Sequence, residues 1–164
     1  MPLLRGNDGL YSVPDYQNIM GKPKRIMLVG RSGAGKTTLI QALKKEEIKY
    51  SKTQYINYYD YVIDTPGEYI ETKRLGSALA LYSYETDIVG LIVDAEEEYS
   101  LYSPNITCMC NREVIGIITK INNKNAGLAR AELWLKNAGC KRVFKIDSPS
   151  GEGIKELAEF LCWK

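Results

Sequence analysis

Five short apolar runs alternate with helical stretches along most of the chain. The runs are RIMLVG (25–30), YVID (61–64), DIVGLIVDA (87–95), EVIGIIT (113–119) and RVFKID (142–147). Helical stretches lie near residues 36–46, 72–85, 126–138 and 152–163. Strands that alternate with helices in this way form a parallel sheet that the helices cover on both faces. The pattern therefore predicts an α/β fold of three layers.

The same pattern predicts which strands lie in the middle of the sheet. Residues 88–94 and 114–118 are apolar on both faces of a strand, as central parallel strands must be. Residues 54–64, QYINYYDYVID, predict a hairpin that turns near Tyr59 and Asp60 and adds one antiparallel edge strand. We therefore expect a mostly parallel six-stranded sheet with one antiparallel strand.

Residues 1–22 follow neither periodicity and contain Gly, Pro, Asn and Asp, so they predict an irregular extension. Residues 23–164 then form one domain, long enough to bury a core without disulfides. The sequence MGKPKRIMLVG from Met20 would be a natural start. A start placed too early, or added residues, explains the extension as well as a functional tail does.

Charge and composition exclude several classes of partner. The net charge is +2, with Lys and Glu interspersed, and no run of about 18 apolar residues could span a bilayer. We therefore expect a soluble, cytoplasmic protein that binds neither nucleic acid nor membrane.

The four cysteines lack the spacing of a disulfide framework, so we expect reduced thiols. Cys108 and Cys110 could be two ligands of a soft metal, but the chain has no histidine to complete such a site. Ordinary loop or core cysteines are the simpler interpretation. The absence of histidine also removes the commonest general base.

The segment GRSGAGKT, residues 30–37, has the spacing G-x-x-x-x-G-K-[ST] between a predicted strand and a predicted helix. Its glycines let successive N–H groups surround phosphate oxygens, and the helix N-terminus adds partial positive charge. Lys36 would reach the β and γ phosphates, and the Thr37 hydroxyl would hold Mg²⁺. The alternative is a chance glycine-rich turn. The segment predicts a nucleotide with at least two phosphates.

The segment DTPG, residues 64–67, follows the next predicted central strand. Asp64 could hold magnesium through water, and the Gly67 N–H could contact the γ-phosphate and detect its loss. Thr53, in the polar loop 45–54, could supply a second hydroxyl to Mg²⁺. By itself each of these segments would be read as an ordinary turn or strand start.

The order of GRSGAGKTT, KTQ, IDTPGEYIE, GIITKI and SGEGIKEL, along residues 24–161, resembles the EutP/PduV family of small P-loop GTPases from bacterial ethanolamine or propanediol utilisation operons. The resemblance implies a P-loop NTPase fold, GTP or GDP and Mg²⁺ as ligands, and a cytoplasmic location. It also implies a supporting role beside a microcompartment shell, with shell proteins or an activating protein as partners.

The resemblance also implies the site residues. Those that bind phosphate would be Gly30, Ser32, Gly33, Ala34, Gly35, Lys36, Thr37 and Thr38. Those that read the base would be Thr119, Lys120 and Asn122, with Ser148 beside them. Magnesium would be held by Thr37, Thr53 and Asp64, and hydrolysis would depend on Lys36, Thr53, Gly67 and Glu68.

Three features depart from the pattern of common GTPases. Glu68 stands where many GTPases have a Gln that orients water, so we expect slow hydrolysis. Only 18 residues, 95–112, separate two central strands, so the helix usual there should be short or missing. Asn122 replaces an Asp, and its amide N–H₂ would face the guanine amino group, donor against donor. We therefore expect weakened, less selective GTP binding with a better fit for xanthine, unless the base loop shifts or the Ser148 backbone and a water compensate.

Three functions remain open from the sequence. The first is a small Mg²⁺-dependent GTPase. The second is a nucleotide-binding assembly or localisation module with little hydrolysis, which Asn122 and Glu68 favour. The third is a phosphotransferase that moves the γ-phosphate to a small carboxylate or alcohol.

Overall fold

The computed structural model describes residues 3–6, 9–12, 21–45, 57–59, 61–67 and 75–163. For residues 3–6, 9–12 and 57–59 it describes the backbone alone. Thr53 and Glu68, both expected to take part in the site, lie outside these ranges. The structural statements below concern the described residues.

A six-stranded sheet forms the centre of the domain. Its strands are β3 (Ile26–Val29), β4 (Asn57–Tyr59), β5 (Val62–Asp64), β6 (Ile88–Asp94), β7 (Glu113–Thr119) and β8 (Val143–Lys145). They lie in the order β4-β5-β3-β6-β7-β8, and every neighbouring pair is parallel except β4 with β5. The predicted sheet, with one antiparallel strand at its edge, is therefore confirmed. The β4–β5 hairpin pairs Tyr59 with Val62, so its connection is one residue later than predicted.

In the described part of the chain four α-helices cover the sheet: α1 (Lys36–Leu43), α2 (Leu75–Tyr82), α3 (Leu128–Ala138) and α4 (Ile154–Phe160). Two separate apolar cores lie on the two faces of the sheet. One contains residues of α2 and α3, and the other contains residues of α1 and α4. The three predicted layers are thus present, because α1 and α4 occupy one face and α2 and α3 the other. None of the helices in the described ranges is long and apolar enough to cross a bilayer.

The connection from β6 to β7 is short, as the sequence predicted. Of residues 95–112, only Ile106–Met109 are helical, in a single 3₁₀ turn. All seven residues of β6 are buried, as a central strand with helices on both faces requires. The carboxyl ends of β3, β5, β6 and β7 consequently meet at one edge of the sheet, where ligands bind in open α/β sheets.

The prediction of an irregular extension is wrong for part of residues 1–22. Strands β1 (Leu3–Gly6) and β2 (Gly9–Ser12) form a separate two-stranded antiparallel sheet that pairs Gly6 with Gly9. The residues between them are Asn and Asp, types that favour a two-residue hairpin connection. This turn signal was present in the sequence, but the runs beside it are too short and too weakly alternating to read as strands.

Candidate functional site

The loop after β3 has the conformation that its glycines permit. Gly33 and Gly35 have φ values of 78° and 93°, in the left-handed region that other residues rarely adopt. Gly35 is also the N-cap of α1, so it turns the chain directly into the helix without a side chain in the way. The backbone N–H groups at this turn and the positive end of α1 are the features that bind phosphate in such loops.

Lys36, the first residue of α1, folds back over this loop. Its Nζ donates hydrogen bonds to the carbonyl of Gly30 at 2.7 Å and to that of Arg31 at 2.9 Å. The residue is only 6% exposed. A buried ammonium held by two carbonyls is fixed in position, so its charge is directed to the loop rather than moving in solvent.

The next residue of α1 is close to the end of β5. Thr37 Oγ1 donates to Asp64 Oδ2 at 3.3 Å, and Asp64 is fully buried. Thr65 supports this arrangement, because both its N–H and its Oγ1 donate to the Leu28 carbonyl of β3, at 3.3 Å and 2.8 Å. A hydroxyl and a carboxylate beside a loop predicted to bind phosphate are oxygen ligands of the kind that Mg²⁺ takes. These two residues therefore fit the predicted magnesium site.

Gly67 lies directly against the loop 30–37. A Cβ built on Gly67 would be 2.5 Å from Ser32 Cα and 2.8 Å from Ser32 Cβ. Side chains do not tolerate contacts under 3.0 Å with backbone, so this position requires glycine as long as the two segments stay together. The structure therefore brings the DTPG segment and the loop 30–37 into one site, as expected for a segment that detects a phosphate.

The segment after β7 is bonded to the same loop. Thr119 Oγ1 donates to the Ala34 carbonyl at 2.6 Å, and Lys120 Nζ donates to the Gly33 carbonyl at 3.0 Å. Lys120 also forms an ion pair with Asp94, at the end of β6. The backbone of Lys120 has φ 57°, so the chain turns sharply there. The predicted base-reading segment and phosphate-binding loop are thus one hydrogen-bonded unit.

Asn122 differs from the sequence-based expectation. Its Nδ2 donates to Glu152 Oε2 at 2.9 Å and lies 3.4 Å from Ser150 Oγ. The amide N–H₂ is therefore bonded to Glu152, a partner that the sequence-based expectation did not include. Ser148 is buried in the loop that carries Glu152, four residues before it. Thr38 lies in the first turn of α1, directly after Thr37 in the chain.

Similarity to known proteins decides the family. Residues 23–162 match the profile of the PduV-EutP family, described as "Ethanolamine utilisation - propanediol utilisation". The chain belongs to this family. The sequence resemblance is therefore confirmed over nearly the whole of the predicted domain.

Individual relatives agree with this assignment. The chain is 41% identical to "Propanediol utilization protein PduV" of Citrobacter freundii, over 84% of this chain and 93% of that protein. It is 30% identical to "Probable acetate kinase EutP" of Salmonella typhimurium, over 85% and 89% of the two chains. It is also 26% identical to "GTPase Der" of Idiomarina loihiensis, and spans 33% of that protein.

A solved structure supports the fold. The Methanosarcina barkeri Roco2 RocCORdC protein bound to GDP superposes with a TM-score of 0.59 at 23% identity. The match covers 84% of this chain and 47% of the Roco chain. At this level of identity the likeness supports the α/β P-loop fold.

The structure places further residues at the candidate site that the sequence did not indicate. Arg31 packs over the ring of Tyr99, with 4.5 Å from its Cζ to the ring centroid. Glu97 Oε1 accepts the Asp94 N–H at 3.1 Å, and burial raises the pKa of Glu97 although Arg31 opposes the shift. The charges of residues 94–99 were visible in the sequence. The contact of Tyr99 with Arg31 could not be predicted, because it depends on the path that the short β6–β7 connection takes over the loop 30–37.

The Tyr102 side chain contacts the end of β3, where the loop 30–37 begins. Its hydroxyl lies 2.8 Å from the Ile92 carbonyl and 3.0 Å from the Val29 carbonyl, the last residue of β3. Burial raises the pKa of Tyr102 well above its usual range, so the hydroxyl keeps its proton. One buried hydroxyl therefore holds the carboxyl ends of β3 and β6 together.

Proposed function

We propose that the chain is a Mg²⁺-dependent guanine-nucleotide-binding protein that hydrolyses GTP slowly, in support of ethanolamine or propanediol utilisation. The observation that carries the proposal is the single hydrogen-bonded unit made by the loop 30–37 and the segment 119–122. A loop that binds phosphates and a segment that contacts a base must be held at a fixed distance to accept one nucleotide. The GDP in the Roco structure and the name of the Der relative support guanine as the base.

Each part of the site has a role in this proposal. Backbone N–H groups of residues 33–38 bind the phosphates, and the buried Lys36 ammonium stabilises the negative charge of the β and γ phosphates. Thr37 and Asp64 would hold Mg²⁺, with Thr53 as the further expected ligand; the ion supplies charge neutralisation when bound. The Gly67 N–H contacts the γ-phosphate from beside Ser32. Glu68 in place of a water-orienting amide keeps the rate low.

Phosphate release from GTP at high protein concentration tests the proposal. We expect slow, Mg²⁺-dependent release that the substitution Lys36→Ala abolishes. Lys44→Ala is the matched control, since Lys44 is the cap residue at the far end of α1. If neither GTP binding nor phosphate release depends on Lys36, the proposed function is wrong.

A second function is favoured by one observation, the 30% identity to a protein named "Probable acetate kinase EutP". A phosphotransferase would use the same loop to move the γ-phosphate to a small carboxylate. It would release diphosphate only when an acceptor such as acetate is added, whereas a GTPase releases phosphate without one. A module that binds nucleotide with little turnover would show saturable binding and no release in either condition.

The setting of the protein is proposed on the family alone. We propose a cytoplasmic location, with shell proteins of a microcompartment or an activating protein as partners. Co-sedimentation with purified shell protein in the presence of GTP or GDP would test the first partner. Acceleration of phosphate release by an operon protein would test the second.

A further inference from the structure

The Asn122–Glu152 contact fixes the orientation of the Asn122 amide. A carboxylate can only accept hydrogen bonds, so the group that faces Glu152 Oε2 at 2.9 Å must be the N–H₂ of the amide. The amide oxygen then points away from Glu152. Orientation of an amide next to an uncharged partner would be ambiguous, but next to a carboxylate only one of the two orientations is stable.

The two residues come from loops that are themselves held in place. Ile121 N–H donates to the Ile146 carbonyl at 3.4 Å, which joins the segment 119–122 to the chain after β8. In the second loop, the Asp147 N–H donates to the Glu152 carbonyl at 3.0 Å, and Asp147 Oδ2 accepts the Ser150 N–H at 3.0 Å. Glu152 therefore meets Asn122 from a constrained turn, not from a freely moving chain.

We propose that Glu152 is a specificity-determining residue, and that Asn122 and Glu152 together replace the single aspartate of common GTPases. This inference rests on the proposed guanine-nucleotide function and names how its base is chosen. An aspartate offers guanine two acceptor oxygens and a negative charge. In the pair, the Asn122 oxygen is the acceptor and Glu152 supplies the charge while preventing the amide from turning over.

The pair predicts a preference opposite to that expected from Asn122 alone. Guanine presents two donors, N1–H and the 2-amino group, and the fixed Asn122 oxygen accepts from them. Xanthine has an oxygen in place of the 2-amino group, which would oppose the Asn122 oxygen, acceptor against acceptor. Adenine has an acceptor at N1 and is disfavoured for the same reason. The chain should therefore select guanine.

The test measures dissociation constants of GDP, XDP and ADP with Mg²⁺ for the wild type and three variants. In Glu152→Gln the partner can donate as well as accept, so the amide is no longer fixed, and the preference for GDP over XDP should fall by about tenfold. Asn122→Asp places two carboxylates side by side and should not tighten GDP binding. The double variant Asn122→Asp with Glu152→Gln removes that repulsion and should bind GDP more tightly than either single variant.

Glu156→Gln is the control, because Glu156 lies in α4, four residues after Glu152, and has no bond to Asn122 among the described contacts. It should leave the GDP to XDP ratio unchanged. If Glu152→Gln leaves the ratio unchanged, or if the two substitutions act independently, the inference is wrong while nucleotide binding stands. If the wild type binds all three nucleotides equally, the inference is also wrong. If it binds none of them, both the inference and the proposed function fail.

Discussion

The close contact of Gly67 with Ser32 predicts a specific failure in the variant Gly67→Ala. The added methyl would lie 2.5 Å from Ser32 Cα, whereas ordinary contact begins at 3.4 Å. One of the two backbones must therefore retreat by about 1 Å. The two nearest atoms, Ser32 N and Ser32 Cα, belong to the backbone of a constrained loop, so no side chain can rotate aside to absorb the overlap.

A displacement of this size should affect hydrolysis far more than binding. A 1 Å misplacement of a reacting or positioning group can cost about 100-fold in rate. In the proposed function the phosphates of GDP are held by the loop 30–37 and by Lys36, whose position the Gly30 and Arg31 carbonyls fix, while Gly67 contacts only the γ-phosphate that GDP lacks. We expect the single-turnover rate of GTP cleavage to fall about 100-fold, while the dissociation constant of GDP changes less than about threefold.

The matched control is Gly76→Ala in α2. A Cβ there would lie 3.5 Å from Met109 Cε, an ordinary contact. Alanine also has a higher helix propensity than glycine, so this substitution should not destabilise α2. Quench-flow measurement of GTP cleavage, with fluorescent GDP for binding, compares both variants with the wild type. Equal cleavage rates in Gly67→Ala and Gly76→Ala would refute the argument that Gly67 positions the γ-phosphate.

Three further predictions concern buried groups. Tyr102→Phe removes a hydroxyl shared by two buried carbonyls, so the free energy of unfolding should fall by about 1–3 kcal/mol at pH 7. Because burial raises the pKa of Tyr102, the unfolded tyrosine ionises first above about pH 10, and the wild-type advantage should shrink there in urea titrations. Burial also raises the pKa of Glu97, so Glu97→Gln should be more stable than wild type at pH 7, with the gain lost below about pH 4 in thermal scans. Burial raises the pKa of the Cys140 thiol to about 12, so iodoacetamide should label the exposed Cys108 well before Cys140, as peptide mass mapping would show.

Sequence patterns predicted the fold well because its signals are local. The apolar runs of β6 and β7 and the glycine spacing of residues 30–37 each depend on neighbours in the chain. The hairpin β4–β5 was predicted for the same reason, with an error of one residue in its turn. The β1–β2 hairpin was missed, since two strands of four residues give little periodicity to read.

The candidate site was less predictable because its geometry depends on contacts between distant segments. The sequence shows the chemistry of Asn122 but not its partner, because Glu152 lies 30 positions further along the chain. Likewise, Lys120 was identified by its motif, but its ion pair with Asp94 follows from the parallel pairing of β6 and β7. A motif indicates which residues would contact the ligand, whereas the fold determines which other side chains hold those residues in position.

Calorimetric titration of the wild type and Lys36→Ala with GDP and Mg²⁺ shows whether the loop 30–37 binds nucleotide. We expect one saturable site per chain in the wild type. We expect a large loss of affinity in Lys36→Ala, because the buried ammonium held by Gly30 and Arg31 would be gone. If the wild type shows no saturable binding, or if the two proteins bind GDP with equal affinity, the loop 30–37 is not a nucleotide site.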